Sequence, residues 1–126
     1  MFDHLRQRVG AVLAETREVT LATTGPAGLQ AGTLPCQALQ LRLYVLVPRT
    51  SEHLVNVGGG AQALVTTPGW QARCRAAVLP TVALPEGLAL PQHPDAEWCA
   101  ILELVPERLE MVRADGWGSL ETIDLE

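Results

Sequence analysis

"PRTSEHLVNVGGGAQALV", Pro48 to Val65, decides the fold, because its three consecutive glycines can be read either as an anion-binding loop or as the end of a helix. A glycine loop that cradles phosphate runs strand, glycines, helix, so that converging N–H groups face the anion where the helix starts. Here the order is reversed. Thr50 and Ser51 are N-cap residues, Glu52 is an acid for a first turn, and Leu54, Val55 and Val57 give an apolar side before Gly58, Gly59 and Gly60. The triplet therefore reads as a helix stop with a left-handed cap, and no Gly-Lys-Ser or Gly-Lys-Thr accompanies it. A bound anion belongs at the other end, where Arg49, the Thr50 and Ser51 hydroxyls and the N–H groups of the first turn converge.

Outward from this helix the chain is mostly strand. Upstream, "QLRLYVLVP" (40–48) alternates Leu41, Leu43, Val45 and Val47 with Arg42, Tyr44 and Leu46, which predicts a strand with one well-buried face, ended by Pro48. "EVTLATT" (18–24), the turn "GPAG" (25–28) and "LQAGTLPCQAL" (29–39) predict a hairpin. Phe2, Leu5, Val9, Val12 and Leu13 recur at helical spacing, so residues 2–15 read as an amphipathic helix. Downstream, "AQALVTTP" and "WQARCRAAVL" flank Pro68-Gly69, a second hairpin, with Gln71, Arg73 and Arg75 on one face of its second strand. Residues 80–97, with Pro80, Pro85, Pro91 and Pro94, read as a long connection with one helical turn near "HPDAEW". "CAILELVPERLEMVRADG" (99–116) is a final strand with an edge or bulge at Pro106, and 117–126 is a tail. About six strands, an N-terminal helix and a helix between strands 3 and 4 predict one mainly β domain over 1–126, a small antiparallel barrel or sandwich.

Composition narrows the partners. The 126 residues carry a net charge of −5 and all nine basic residues are arginine, so the basic field that neutralises nucleic-acid backbones is missing, as is any lysine for a Schiff base. Charges interrupt the N-terminal stretch and no apolar run approaches a membrane span, which predicts a cytoplasmic protein without a membrane partner. Cys36, Cys74 and Cys99, like His4, His53 and His93, are scattered, and no metal site is expected from them. Cys36 and Cys74 alternate among apolar neighbours and read as small buried hydrophobes, and Glu103, Glu107 and Glu110 as solvated charges.

The succession of strand, proline, "TSEHLVNV", strand and Pro-Gly hairpin resembles the pyridoxamine 5'-phosphate oxidase-like FMN-binding split barrel, over roughly residues 14–112. In that family the helix opens with Ser-Arg-Lys and closes with Asn-Leu; Ser51, Glu52 and His53 hold the opening positions here, and Asn56-Val57 the closing ones. The resemblance implies a homodimer with two cofactor sites at the subunit interface. It implies cofactor contacts from Thr33, Leu34 and Pro35 on the second strand, and from Val47 and Pro48 at the end of the third. The helix start, with Ser51 and His53, would hold the phosphate, joined by Thr50 and by Arg49 as a substitute cation, and Gln71 falls where the oxidases carry a glutamine that reaches the flavin ring. Glu52-His53 in place of the basic pair removes a charge-assisted bond worth about 1.5–3 kcal/mol unless Arg49 compensates.

These readings converge on an FMN-binding, oxidoreductase-like protein of unknown substrate, distinct from the true oxidases, whose longer C-terminal substrate-binding part has no counterpart here. Two alternatives stand beside it. One is a cofactor-free relative acting as a binding module; the other binds haem, with His53 or His93 as axial ligand, or deazaflavin. Trp70 and Trp98 read as packing or interface anchors, and Trp117 as part of a tail that covers a neighbouring site.

Overall fold

The computed structural model describes residues 2–60, 62–112 and 120–125. Helix α1 (Phe2–Ala14) precedes β1 (Glu18–Thr23), β2 (Gln30–Leu39) and β3 (Arg42–Pro48); α2 (Glu52–Gly60) leads to β4 (Gln62–Thr67), β5 (Trp70–Leu79), a connection with three single-turn 3-10 helices, β6 (Cys99–Val112) and β7 (Leu120–Asp124). All pairings are antiparallel. The order β3-β2-β1-β4-β5-β6 is closed by β3 against β6, giving a six-stranded barrel, and β7 adds to β6 outside it. The tail expected over 117–126 is thus corrected in part: residues 120–124 are a strand, registered from Arg108↔Asp124 to Val112↔Leu120. Trp117 lies outside the described residues.

Alternation fills the barrel. On β5, Trp70, Ala72, Cys74 and Ala76 point inward while Gln71, Arg73 and Arg75 face out. They meet Val19, Leu21, Leu43, Val45, Val47, Val65, Leu102, Leu104 and Leu109 from the other strands, with Val9 and Leu13 of α1 and Val57 of α2 packed onto the same core. β3 departs from its expected single buried face: all of Leu43 to Val47 is buried. The Pro-rich connection explains this, since Leu88 and Leu90 cover Tyr44, Leu46 and Ile101 on the outside of the barrel as a second small core.

Pro106 produces the expected bulge. Arg73 faces Arg108 but Cys74 faces Pro106, so Glu107 is the extra residue. At this point β6 exchanges partners, leaving β3 after Leu104 and meeting β7 from Arg108, so a residue without an N–H costs little there.

The glycine triplet is also corrected. Gly58, Gly59 and Gly60 form the last turn of α2 rather than following it. A Cβ on Gly59 would stand 2.8 Å from Cδ of Pro26, and one on Gly25 would stand 2.9 Å from Oδ1 of Asn56, so the helix lies directly against the β1–β2 turn.

Candidate functional site

The barrel is split beside the third strand. β2 and β3 pair only from Leu39↔Arg42 to Cys36↔Val45; beyond Cys36, β2 stays with β1 as far as Thr23↔Gln30, while Leu46–Pro48 pairs with β6. Pro35 stands at the parting and can donate nothing across it. Between the separated strands lies a slot of about 240 Å3 lined by Leu34, Pro35, Leu46, Pro48, Asp95, Trp98 and Cys99. Through Leu46 and Cys99 it adjoins a groove of about 310 Å3 that includes Arg49, Leu79, Leu84 and Ile101.

Trp98 flanks the slot with its side chain largely in solvent, 68% exposed. Its position is fixed through the main chain: the Arg49 N–H donates to the Trp98 carbonyl at 2.9 Å, and Arg49 Nε donates to the Cys99 carbonyl at 3.3 Å. The same arginine follows β3 and precedes the helix cap, so the main chain at Trp98 and Cys99 is tied to the segment that leads into α2. Ser51 is that cap, its Oγ accepting the His53 N–H at 3.1 Å, while the Ser51 N–H donates to the Pro48 carbonyl.

His53 has a different environment from either a solvated or a phosphate-facing imidazole. It is buried, and its Nδ1 lies 2.7 Å from Oγ1 of Thr23. Asn56 Nδ2 donates to the same hydroxyl at 3.1 Å and to the Gly28 carbonyl at 2.8 Å, and its Oδ1 accepts the Ala27 N–H at 2.9 Å. Thr23 Oγ1 therefore bridges the imidazole and the Asn56 amide, and burial lowers the His53 pKa below the ordinary imidazole value. His53 and Asn56 thus tie α2 to the end of β1 and to the β1–β2 turn.

Leu34, Pro35 and Pro48 line the slot and Arg49 lines the adjoining groove, whereas Thr50 and Ser51 follow Arg49 in the chain and line neither. Val47 is fully buried and its side chain packs in the barrel core, whereas the adjacent Leu46 presents the apolar wall. Thr33 lies on the outer surface, its Oγ1 3.4 Å from that of Thr20. Gln71 is elsewhere: the register runs Thr33↔Thr20, Thr20↔Thr66, Thr66↔Gln71, which puts it three strands from β2, about 14 Å at the usual strand spacing. There its Nε2 donates to Glu110 at 3.0 Å, in a shallow depression shared with Leu64, Arg73 and Arg108. Sequence reasoning missed Leu46 as a lining residue and read Trp98 as a packing or interface anchor. Strand alternation against Val47 was the available signal for the first; nothing local marked the second.

Burial pushes the Cys36 thiol up to about 11 and the Cys74 thiol to about 12, so neither is a nucleophile near neutrality. Among the described residues no cluster of three or more His, Cys, Asp or Glu side chains could hold a metal, and no helix is long and apolar enough to cross a membrane.

No family model matches the sequence, and no curated protein matches it either. Solved structures do. General stress protein 26 from Bacillus anthracis superposes with a TM-score of 0.71 at 13% identity, covering 97% of this chain and 99% of the other. A Clostridium acetobutylicum protein of the pyridoxinephosphate oxidase family, related to general stress protein 26, gives 0.69 at 10% identity over 98% and 96%. This chain has the fold of the pyridoxamine 5'-phosphate oxidase-like split barrels. The haem-storage protein HutZ from Vibrio cholerae has it too, with a TM-score of 0.64 at 15% identity over 85% of this chain and 94% of that one. At these identities the split barrel is what the proteins share.

Proposed function

We propose that the split between β2 and β3 binds FMN and that the protein is a flavin-dependent oxidoreductase, with a substrate other than pyridoxamine phosphate. The observation that carries this reading is the slot itself: an apolar gap between separated strands, walled by Leu34, Pro35, Leu46 and Pro48, that adjoins the groove lined by Arg49, the residue two before the capped start of α2 at Ser51. A planar ring suits the gap, and its phosphate suits the helix start. Arg49 would carry the positive charge that Glu52 and His53 do not, with the Thr50 and Ser51 hydroxyls and the first-turn N–H groups as donors. His53 would act by holding the helix start in place through Thr23. Bound FMN would supply the hydride and electron transfer, and the chain would orient the ring and exclude water from it.

Gln71 joins this site only from a second copy, because its own chain holds it about 14 Å away. A homodimer packed through the outer face of β1, β2, β4 and β5 would bring it there, and the exposed Leu29 and Leu64 beside that face favour such an interface.

Haem is the second reading, favoured by the fold shared with HutZ. The imidazoles weaken it. His53 is occupied by Thr23, and His93 accepts the Asp95 N–H on Nδ1, which places the neutral ring's proton on the Nε2 that would have to ligate iron. FMN titration followed by flavin fluorescence tests the main reading. Saturable quenching, weakened about tenfold or more by Arg49→Ala, supports it; no quenching by a folded protein sinks it.

A further inference from the structure

On the other side of Pro35 from the split, a cleft of about 690 Å3 opens between the end of α1, the start of β1 and the turn that precedes His93. Its wall is built. The Gln37 side chain spans it, with Nε2 donating to the Gly87 carbonyl at 2.9 Å and Oε1 accepting the Ala89 N–H at 2.6 Å, and Gly87 has the left-handed φ of +86° that this turn needs. Ala38 and the buried Leu90 give it an apolar floor.

Two opposite charges, Arg17 and Glu18, line the same cleft without neutralising each other. Arg17 Nη1 donates to the carbonyls of Ala14 at 2.6 Å and Thr16 at 3.4 Å, which leaves Nε and Nη2 for another acceptor. The Glu18 carboxylate has no hydrogen-bond or ion-pair partner among the described residues. Both residues are fixed beside Cys36 through the main chain, since the Cys36 N–H donates to the Arg17 carbonyl at 2.9 Å and Glu18 faces Pro35 across the β1–β2 ladder, so both charges stand at one end of the cleft. A cation and an anion set apart over apolar surface are complementary to a ligand of reversed polarity with an apolar body.

We propose that this cleft binds a small zwitterion of the α-amino-acid type, its carboxylate on Arg17, its ammonium group on Glu18 and its apolar side chain over Ala38 and Leu90. The proposed ligand contacts, Arg17, Glu18, Ala38 and Leu90, lie outside the lining of the flavin slot, so binding is measured with or without FMN.

Calorimetric titration with L-phenylalanine, N-acetyl-L-phenylalanine and L-phenylalaninamide tests it. Phenylalanine is expected to saturate the protein in the millimolar range or tighter, and each analogue, lacking one charge, to bind at least about tenfold more weakly. Arg17→Gln should remove the difference between phenylalanine and its amide while keeping the penalty for acetylation, and Glu18→Gln should do the converse. Ala89→Phe, which fills the cleft and leaves the main-chain bond to Gln37, should abolish binding in a protein with an unchanged circular dichroism spectrum. No saturation by phenylalanine in the millimolar range, analogues that bind as tightly as the parent, or an Arg17→Gln protein with the wild-type pattern of preference would each overturn the assignment.

Discussion

Thr23 is the residue on which the helix start depends, because one hydroxyl serves both His53 and Asn56. Replacing it with valine keeps the shape but strands a buried imidazole nitrogen and one amide donor. A loss of about 1–3 kcal/mol is expected, read as a lower urea midpoint at unchanged slope. His53 itself makes stability depend on pH. Its folded-state pKa lies below the unfolded value of about 6.5, so between the two the unfolded chain binds more protons. That contribution is fully present above about 6.5 and is lost as the pH falls below it toward the folded pKa. Urea midpoints measured from pH 7.5 down to pH 5 should therefore fall more steeply for the wild type than for His53→Gln. Equal slopes would remove His53 from the account. Sequence alone placed this residue correctly at the helix start and yet gave no sign of its burial, since its partner Thr23 lies 30 residues away on another element.

At the scale of elements, α2 is the piece that sets the geometry of the site, and its glycines differ in what they do. Gly58 has open space where a Cβ would go, whereas Gly59 faces the Pro26 ring at 2.8 Å. Gly58→Ala should stabilise the protein by up to about 1 kcal/mol through helix propensity, while Gly59→Ala should destabilise it despite the same gain. Melting temperatures that move in opposite directions would bear this out; two increases would show that the turn and the helix can separate at no cost. The start of this helix was legible because a proline, an N-cap and an acidic first turn are local signals. Its end was not, because the need for Gly59 comes from a turn some thirty residues earlier. Strand β7 escaped notice for a related reason: "LETID" alternates too briefly to declare itself, and its place is given by pairing along β6.

At the scale of the molecule, hairpin turns revealed two of the barrel's ladders, β1–β2 and β4–β5, but they could not show that β3 leaves β2 halfway along. The split depends on β6 capturing Leu43–Pro48, a pairing between segments separated by the entire second half of the barrel. For the same reason the slot's lining was only partly foreseen: Leu34, Pro35 and Pro48 come from the strands themselves, whereas Trp98 arrives on the long connection. If Gln71 completes the site from a second copy, assembly and binding are linked. Leu64→Glu, which puts a charge on the outer sheet face, should then yield a monomer by sedimentation equilibrium and weaken FMN binding together. A monomeric variant with unaltered FMN affinity would confine the site to one chain.

The measurement closest to the central claim is the visible difference spectrum of FMN on addition of the purified protein. An isoalloxazine ring moved from water into the slot beside Leu46 and Trp98 should show a shifted visible band with sharpened shoulders, saturating at one FMN per chain. A spectrum that stays that of free FMN at saturating protein, alongside a Soret band when haem is added instead, would contradict the flavin assignment and give the scaffold to haem.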